Sequence, residues 1–333
     1  MAHGGQERAM AQALGAEAKE GLERSCADAA NGDRIVSAPG GSGLERIEAR
    51  FHGNAFELHR HDTYAIGVTL NGVQRFHYRG ALQHSLAGQA IVLHPDELHD
   101  GGAGTEDGLR YRILYLEPSL LLECLDGEPL PFVRDAVVDD PRLRDTLLSA
   151  LAPLDEELGD LFVADFVAQL AQQLRRHAGK PAKSTGKTAW RAAALARDYL
   201  EENAERPVRS DELEAVTGLD RYALSRHFRA TYSTSPHRFL LMRRLQRARR
   251  MIAEGESLAE IAAAAGFSDQ SHFNRHFKKA FGVTPGRWAA LVGATHSVVA
   301  QARCAASSLK APPKHRRLSG RATMLRIAPE SRG

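Results

Sequence analysis

Apolar residues recur at two spacings along this chain, and the change of spacing divides it. Between Leu44 and about Leu116 they come in short runs, at 64–70, 73–78, 90–93 and 111–116, with turn residues between. Runs of that length predict strands, and many short strands at this spacing predict a small antiparallel barrel or sandwich. Asn71-Gly72, between the first two runs, is a strong hairpin-turn signal, and His94-Pro95 ends the third. From 117 to 180 the period becomes helical. Leu143, Leu147, Leu148 and Leu151 share one face; Leu158, Leu161, Phe162, Phe166, Leu170 and Leu174, with Asp165 and Gln169, share another. A stripe of that width must bury against something, either the barrel or a second copy of the chain.

Beyond Trp190 the pattern predicts almost continuous helix. An amphipathic helix covers about 193–203, and a short one opens at Ser210 with Asp211 and Glu212 in its first turn, where the helix dipole favours acids. A third spans about 221–231. Ser235-Pro236 starts a longer helix to about 253, with proline at its first position. It carries Arg238, Arg243, Arg244, Arg247, Arg249 and Arg250. Helices at about 257–265 and 270–281 follow, and Thr284-Pro285 opens a last one through Trp288.

Two stretches of this helical half repeat one another. Gly218 to Phe228 reads GLDRYALSRHF, and Gly266 to Phe281 reads GFSDQSHFNRHFKKAF. Both begin glycine-apolar, and both reach apolar-x-Arg-His-Phe followed by a basic residue. Gly218 and Gly266 stand where a helix must end and the chain turn. Asp220, and Ser268 or Asp269, can cap the helix that follows. Leu224 and Phe228 are four apart, as are Phe273 and Phe277, so each pair faces a core while Arg226 and Arg275 point elsewhere. A unit used twice, each the second half of a helix-turn-helix, is the reading.

Charge sharpens the division. The formal net charge is +3, yet residues 187–295 carry 18 Lys/Arg against 12 Asp/Glu, residues 44–180 carry 13 against 22, and the last 38 residues carry 8 against 1. An acidic module joined to a basic one suggests that only the second meets nucleic acid. Cys26, Cys124 and Cys304 lie far apart, which is neither a disulfide framework nor a zinc site, and points to a reducing compartment. No apolar stretch has the length of a membrane span or the character of a signal peptide. Residues 1–43, with Pro39-Gly40-Gly41-Ser42-Gly43, read as a flexible lead-in, within which 10–30 has weak helical character. Residues 181–189 read as a linker between modules at 44–180 and 190–295, and 296–333 as a basic, disordered tail. Gly186-Lys187-Thr188 is not a phosphate-binding loop, because six residues rather than four separate Gly179 from Gly186 and no strand precedes it.

The run Gly266-Phe267-Ser268-Asp269-Gln270-Ser271-His272-Phe273, with Arg275, Phe277-Lys278 and Gly282-Val283-Thr284-Pro285-Gly286, resembles the signature of the AraC/XylS family of transcription regulators. The resemblance covers about 190–291 strongly and 50–116 more weakly. It implies an α+β two-domain protein: an N-terminal cupin-like antiparallel β-barrel with helices, then an all-α domain with two helix-turn-helix motifs joined by a long helix. It also implies promoter DNA, a small-molecule effector and RNA polymerase as partners, dimerisation through the helices after the barrel, a cytoplasmic, nucleoid-associated location, and no enzymatic activity. Arg226 and Arg275 are 49 residues apart, spanned mainly by one helix. About 17 helical residues rise roughly 25 Å, compatible with reading helices in successive major grooves about 34 Å apart. Base reading falls to the exposed residues early in each: Arg221, Tyr222, Ser225 and Arg226, then Gln270, Ser271, Asn274 and Arg275. Arginine suits guanine, and Gln or Asn suits adenine. The linker-helix arginines are expected on phosphates.

His59-Arg60-His61, with Gly88, Pro95 and His99, resembles the two half-motifs of a cupin barrel. Metal-binding cupins take two histidines and a glutamate from the first half-motif and a histidine from the second. His59, His61 and His99 fit the histidine positions, but Asp62 and Tyr64 stand near the place of the glutamate. Three histidines could still hold zinc or iron. The expectation is instead an effector pocket bordered by His59, His61, Tyr64 and His99, with no cofactor. Two other readings are a metal cupin enzyme with a DNA-targeting tail, and a DNA-repair alkyl acceptor. The second would need a reactive thiol, and Cys124 has no basic neighbours in sequence to make it one. The effector, the operator and the sign of regulation are not written in these residues.

Overall fold

A computed structural model describes residues 32–293 except 40, 42, 127, 153 and 180–186. The expected helix within 10–30, most of the linker and the basic tail lie outside the described residues. The strands are β1 Arg34–Pro39, β2 Leu44–Phe51, β3 Asn54–His59, β4 Tyr64–Tyr78, β5 Ala81–Leu86, β6 Ala90–Leu93, β7 His99–Ala103, β8 Leu109–Leu116 and β9 Val137–Val138. One sheet runs β1-β2-β8-β4-β6-β9; a second is built from β3, β7, β4 and β5, and β4 belongs to both. All the pairings between these strands are antiparallel.

The predicted turn at Asn71-Gly72 is a correction. β4 passes straight through both residues, and its register against β8 slips between Thr69 and Asn71. Gly72 has φ +75°, and a Cβ there would lie 2.0 Å from the carbonyl oxygen of Gly108. The pair makes a bulge where β4 leaves one sheet for the other, a corner that needs a left-handed residue and a close backbone approach. The expected lead-in also begins to pack earlier than read: β1 pairs along β2 and buries Ile35.

The first sheet is buried on both faces, which explains the nearly unbroken apolar run at the start of β4. Ala65, Ile91, Leu93 and Ile113 join the barrel interior. Tyr64, Ile66, Val68 and Leu114 point the other way, under α1 Pro118–Cys124, α2 Pro141–Leu151 and α3 Asp160–His177. Leu143, Leu147, Leu151, Phe166, Leu170 and Leu174 fill that layer as their spacing predicts. Leu161 and Phe162, on the same predicted stripe, stay exposed, Leu161 at 86%.

The remaining helices are α4 Lys187–Glu202, α5 Ser210–Thr217, α6 Arg221–Tyr232, α7 Pro236–Glu254, α8 Leu258–Ala264, α9 Gln270–Phe281 and α10 at 285–293. α7 bridges two cores. Phe239 and Leu240 near its start pack with Leu213, Leu224 and Phe228 of the first repeat. Met242, Leu245, Ala248 and Ile252 pack with Ile261, Phe273 and Phe277 of the second. That second core is continuous with the interior of the barrel, through contacts that include Phe281 and Trp288.

Candidate nucleic-acid interface and effector site

The two repeats build matched helices, α6 and α9, each the second of a helix-turn-helix pair. Gly218 (φ +69°) and Gly266 (φ +76°) are left-handed, as the turns require. The Asp220 carboxylate accepts from the N–H groups of Tyr222 and Ala223, and that of Asp269 accepts from His272 N–H at 2.7 Å. Leu224, Phe228, Phe273 and Phe277 are buried. With those positions inward, Arg221, Tyr222, Arg226, Gln270, Ser271 and Arg275 are exposed, and Ser225 and Asn274 are half-buried. Arg221 is tied to Glu214 at 3.3 Å. Arg226 and Arg275 form no salt bridge with a described residue, and the Asn274 side-chain oxygen is buried without a hydrogen bond. His227 and His276 are half-buried; burial first, then the neighbouring His272, pushes His276 down from its ordinary value.

The long helix departs from expectation. Its arginines mostly face protein. Arg238 pairs with Asp96 at 2.5 Å and donates to the Arg60 carbonyl. Arg243 lies between Asp62 (2.8 Å) and Glu117, and Arg249 pairs with Glu45. All four carboxylates belong to the barrel half. Arg244 donates to the carbonyls of Ala204 and Arg206, and Arg247 pairs with Glu205. Of the six, Arg250 is left exposed. Part of the acidic excess of the first half thus faces the basic helix of the second.

The same contact organises the barrel's histidines. His59 ends β3, His99 opens β7 opposite it, and His61 lies in the turn between β3 and β4. All three are buried, with ring centroids 4.3 Å (59–99), 4.9 Å (61–99) and 6.0 Å (59–61) apart. Burial above all, and for His59 and His61 the charge of neighbouring His99, pushes these imidazoles below their usual range. Tyr64 does not join them. Its side chain lies on the outer face of the sheet, where its hydroxyl donates to the Pro131 carbonyl and its ring meets His94. Asp62 is also turned away, toward Arg243.

A narrow cleft of about 20 Å³, partly open to solvent, adjoins the cluster. Phe56, His59, His61, Thr63 and Tyr115 form its barrel wall; Met242, Gln246, Arg249, Phe281 and Trp288 form the wall from the helical half. Tyr115, edge-on to His61 at 5.1 Å, has its phenol pushed up to about 12 by burial. The second wall was not foreseen. Arg249, with the other linker-helix arginines, is expected on phosphates, and nothing local in the sequence says that this face meets the barrel.

A β-barrel continued by two helix-turn-helix units is the architecture of a DNA-binding regulator. Residues 41–171 match the AraC-like ligand binding domain and residues 213–290 a helix-turn-helix domain. The chain belongs to the AraC family of transcription regulators. It is 30% identical over 92 residues to the probable transcriptional regulator LumQ of Photobacterium leiognathi, covering 27% of this chain and 37% of that one. It is 25% identical to the regulator YbfI of Bacillus subtilis, covering 68% of this chain and 85% of that one. The match thus spans little more than a third of LumQ but most of YbfI. The crystal structure of ToxT from Vibrio cholerae shares the fold, with a TM-score of 0.57 at 11% identity, over 76% of this chain and 99% of that one.

Proposed function

We propose that this protein binds promoter DNA at specific sites, reads two successive major grooves with α6 and α9, and adjusts that binding to a small molecule held between barrel and helical half. The observation that carries the proposal is the pocket itself. Half its wall comes from the barrel and half from α7, α9 and α10, so a ligand there touches both halves and can favour one arrangement of them over another. Solved structures of ToxT include one bound to an unsaturated fatty acid, so a relative in fold takes a small amphiphile. Arg221, Tyr222, Ser225, Arg226, Gln270, Ser271, Asn274 and Arg275 carry the base reading. Leu161 and Phe162, exposed on α3, are the face on which a second copy would pair, and RNA polymerase would be met at the promoter. Acting on promoter DNA, the protein works in the cytoplasm; no described helix is long and apolar enough to cross a membrane.

Selection of bound fragments from a random DNA pool, repeated with candidate metabolites, tests this reading. Enrichment of one bipartite sequence, changed in strength by at least one metabolite, is expected. Binding that follows only the charge of the DNA, with no enriched sequence, would contradict it.

A further inference from the structure

The three-histidine cluster has a hydrogen-bonding arrangement that an ordinary buried core does not need. Nδ1 of His59 lies 2.8 Å from the Glu57 carbonyl, Nδ1 of His61 lies 2.9 Å from that of Thr63, and Nδ1 of His99 lies 2.9 Å from that of Glu97. A carbonyl oxygen only accepts, so each Nδ1 carries the proton and each Nε2 keeps the lone pair. One backbone device thus fixes the same tautomer three times. Nε2 of His61 is buried with no partner among the protein atoms. The ligand atoms that the three residues offer lie within 4.8 Å of one another. Neutral imidazoles with Nδ1 held by a carbonyl and Nε2 left open are the form in which histidine binds transition metals. A set of three nitrogens without a carboxylate suits zinc, copper, iron or nickel rather than magnesium or calcium. Three protein ligands also leave a coordination position for water or a ligand from the adjoining pocket.

The cluster is joined to the DNA-binding half through one peptide. The Glu57 carbonyl that holds the His59 ring belongs to the residue whose N–H donates to the carbonyl of Gly282, the C-terminal cap of reading helix α9, at 2.9 Å. Arg60 N–H donates to the Lys279 carbonyl, and the Lys278 ammonium meets Glu57 at 2.7 Å. Gly282 is left-handed (φ +71°), and a Cβ there would stand 2.7 Å from Nδ1 of His59 and 2.8 Å from the Glu57 carbonyl oxygen.

We propose that His59, His61 and His99 bind one divalent transition-metal ion through Nε2, and that the ion acts as a latch, fixing β3 and thereby the docking of α9 on the barrel. The regulatory half of this proposal rests on the effector-responsive reading above; the metal site does not. Coupling of this kind is reciprocal: the metal shifts DNA affinity by the same factor by which DNA shifts metal affinity.

The test uses the untagged full chain, stripped with chelator and titrated with Co²⁺, whose visible absorption reports nitrogen coordination. One Co²⁺ per chain is expected, displaced by Zn²⁺, and lost in His61→Gln and His99→Gln but kept in His84→Gln, an exposed histidine of β5. Circular dichroism of each variant separates loss of the site from loss of the fold. Gly282→Ala leaves the three ligands in place and crowds the carbonyl that orients His59, so Co²⁺ affinity should fall by about tenfold, the scale of an outer-shell change. A folded wild-type chain that takes up no stoichiometric Co²⁺, or one whose uptake survives His99→Gln, overturns the site. Unchanged affinity in Gly282→Ala overturns the latch. Fragment selection on stripped protein is scored separately: specific DNA binding without metal uptake leaves the regulator reading standing alone, and metal uptake without specific DNA binding leaves the site standing alone.

Discussion

Arg275 lies between Phe273 and Phe277, both fully buried, so the packing of its neighbours holds it outward at the surface of α9. Replacing it with alanine should cost roughly 1–3 kcal/mol of specific binding and relax one base position. Titration of the selected site and its single-base variants at fixed salt measures both. Phe277→Ala belongs to a different class: it should destabilise the fold by about 3–5 kcal/mol, seen in denaturant unfolding, because the ring is wholly inside the core. At this scale much was legible. The period-four apolar pairs and the Asp caps are local signals, and the structure places them as their spacing implies. The histidines were legible as a group only through the resemblance to the two cupin half-motifs; the structure brings them together by pairing His59 of β3 with His99 of β7. Tyr64 was misplaced for a physical reason. A sheet buried on both faces gives no alternation of polar and apolar residues, so the sequence does not show which face a side chain takes.

Elements tell a second part of the story. Asn71-Gly72 carries the chemistry of a hairpin turn, but the left-handed conformation it favours is used for a corner inside β4. Composition specified the conformation and left the topology open. α7 is the larger surprise, since a helix rich in arginine reads as a DNA-facing surface until the carboxylates that meet it are known. Arg243 is the least replaceable of these. Its removal leaves Asp62 buried without its cation, so Arg243→Ala should destabilise by about 3–5 kcal/mol, in denaturant unfolding, whether or not DNA is present. α5 offers a pH test. Glu212 accepts from Arg206, from the N–H of Arg209 and from the Tyr199 hydroxyl, which hold its carboxyl down to about 2 against an ordinary 4.5. A depressed carboxyl contributes stability that is complete above its ordinary value and is lost as pH falls through the folded one. Glu212→Gln should therefore be less stable than the wild type near pH 6, with the gap closing as pH falls through 4 toward 2. Thermal unfolding of the pair across that range checks the sign.

For the whole molecule, the barrel and the second reading unit share one continuous hydrophobic cluster, reinforced by ion pairs of Arg238, Arg243, Arg249, Lys278 and Arg287 with barrel-side carboxylates. They should melt together, and two resolved calorimetric transitions for them would show that the contact is weaker than its packing indicates. Sequence could not reveal this association, because each partner surface carries charges that look equally natural facing water. The first helix-turn-helix unit packs around Leu224 and Phe228 in a separate cluster that meets the barrel half through Leu122 of α1, whereas the second shares the interior of the barrel itself. The central claim remains that both enter DNA from one chain. Hydroxyl-radical footprinting of the selected site tests it most directly, with wild type beside Arg226→Ala and Arg275→Ala. Two protected patches about one helical turn apart are predicted, each weakened by one of the two substitutions; a single patch, or one that responds to Arg275→Ala alone, would contradict the account.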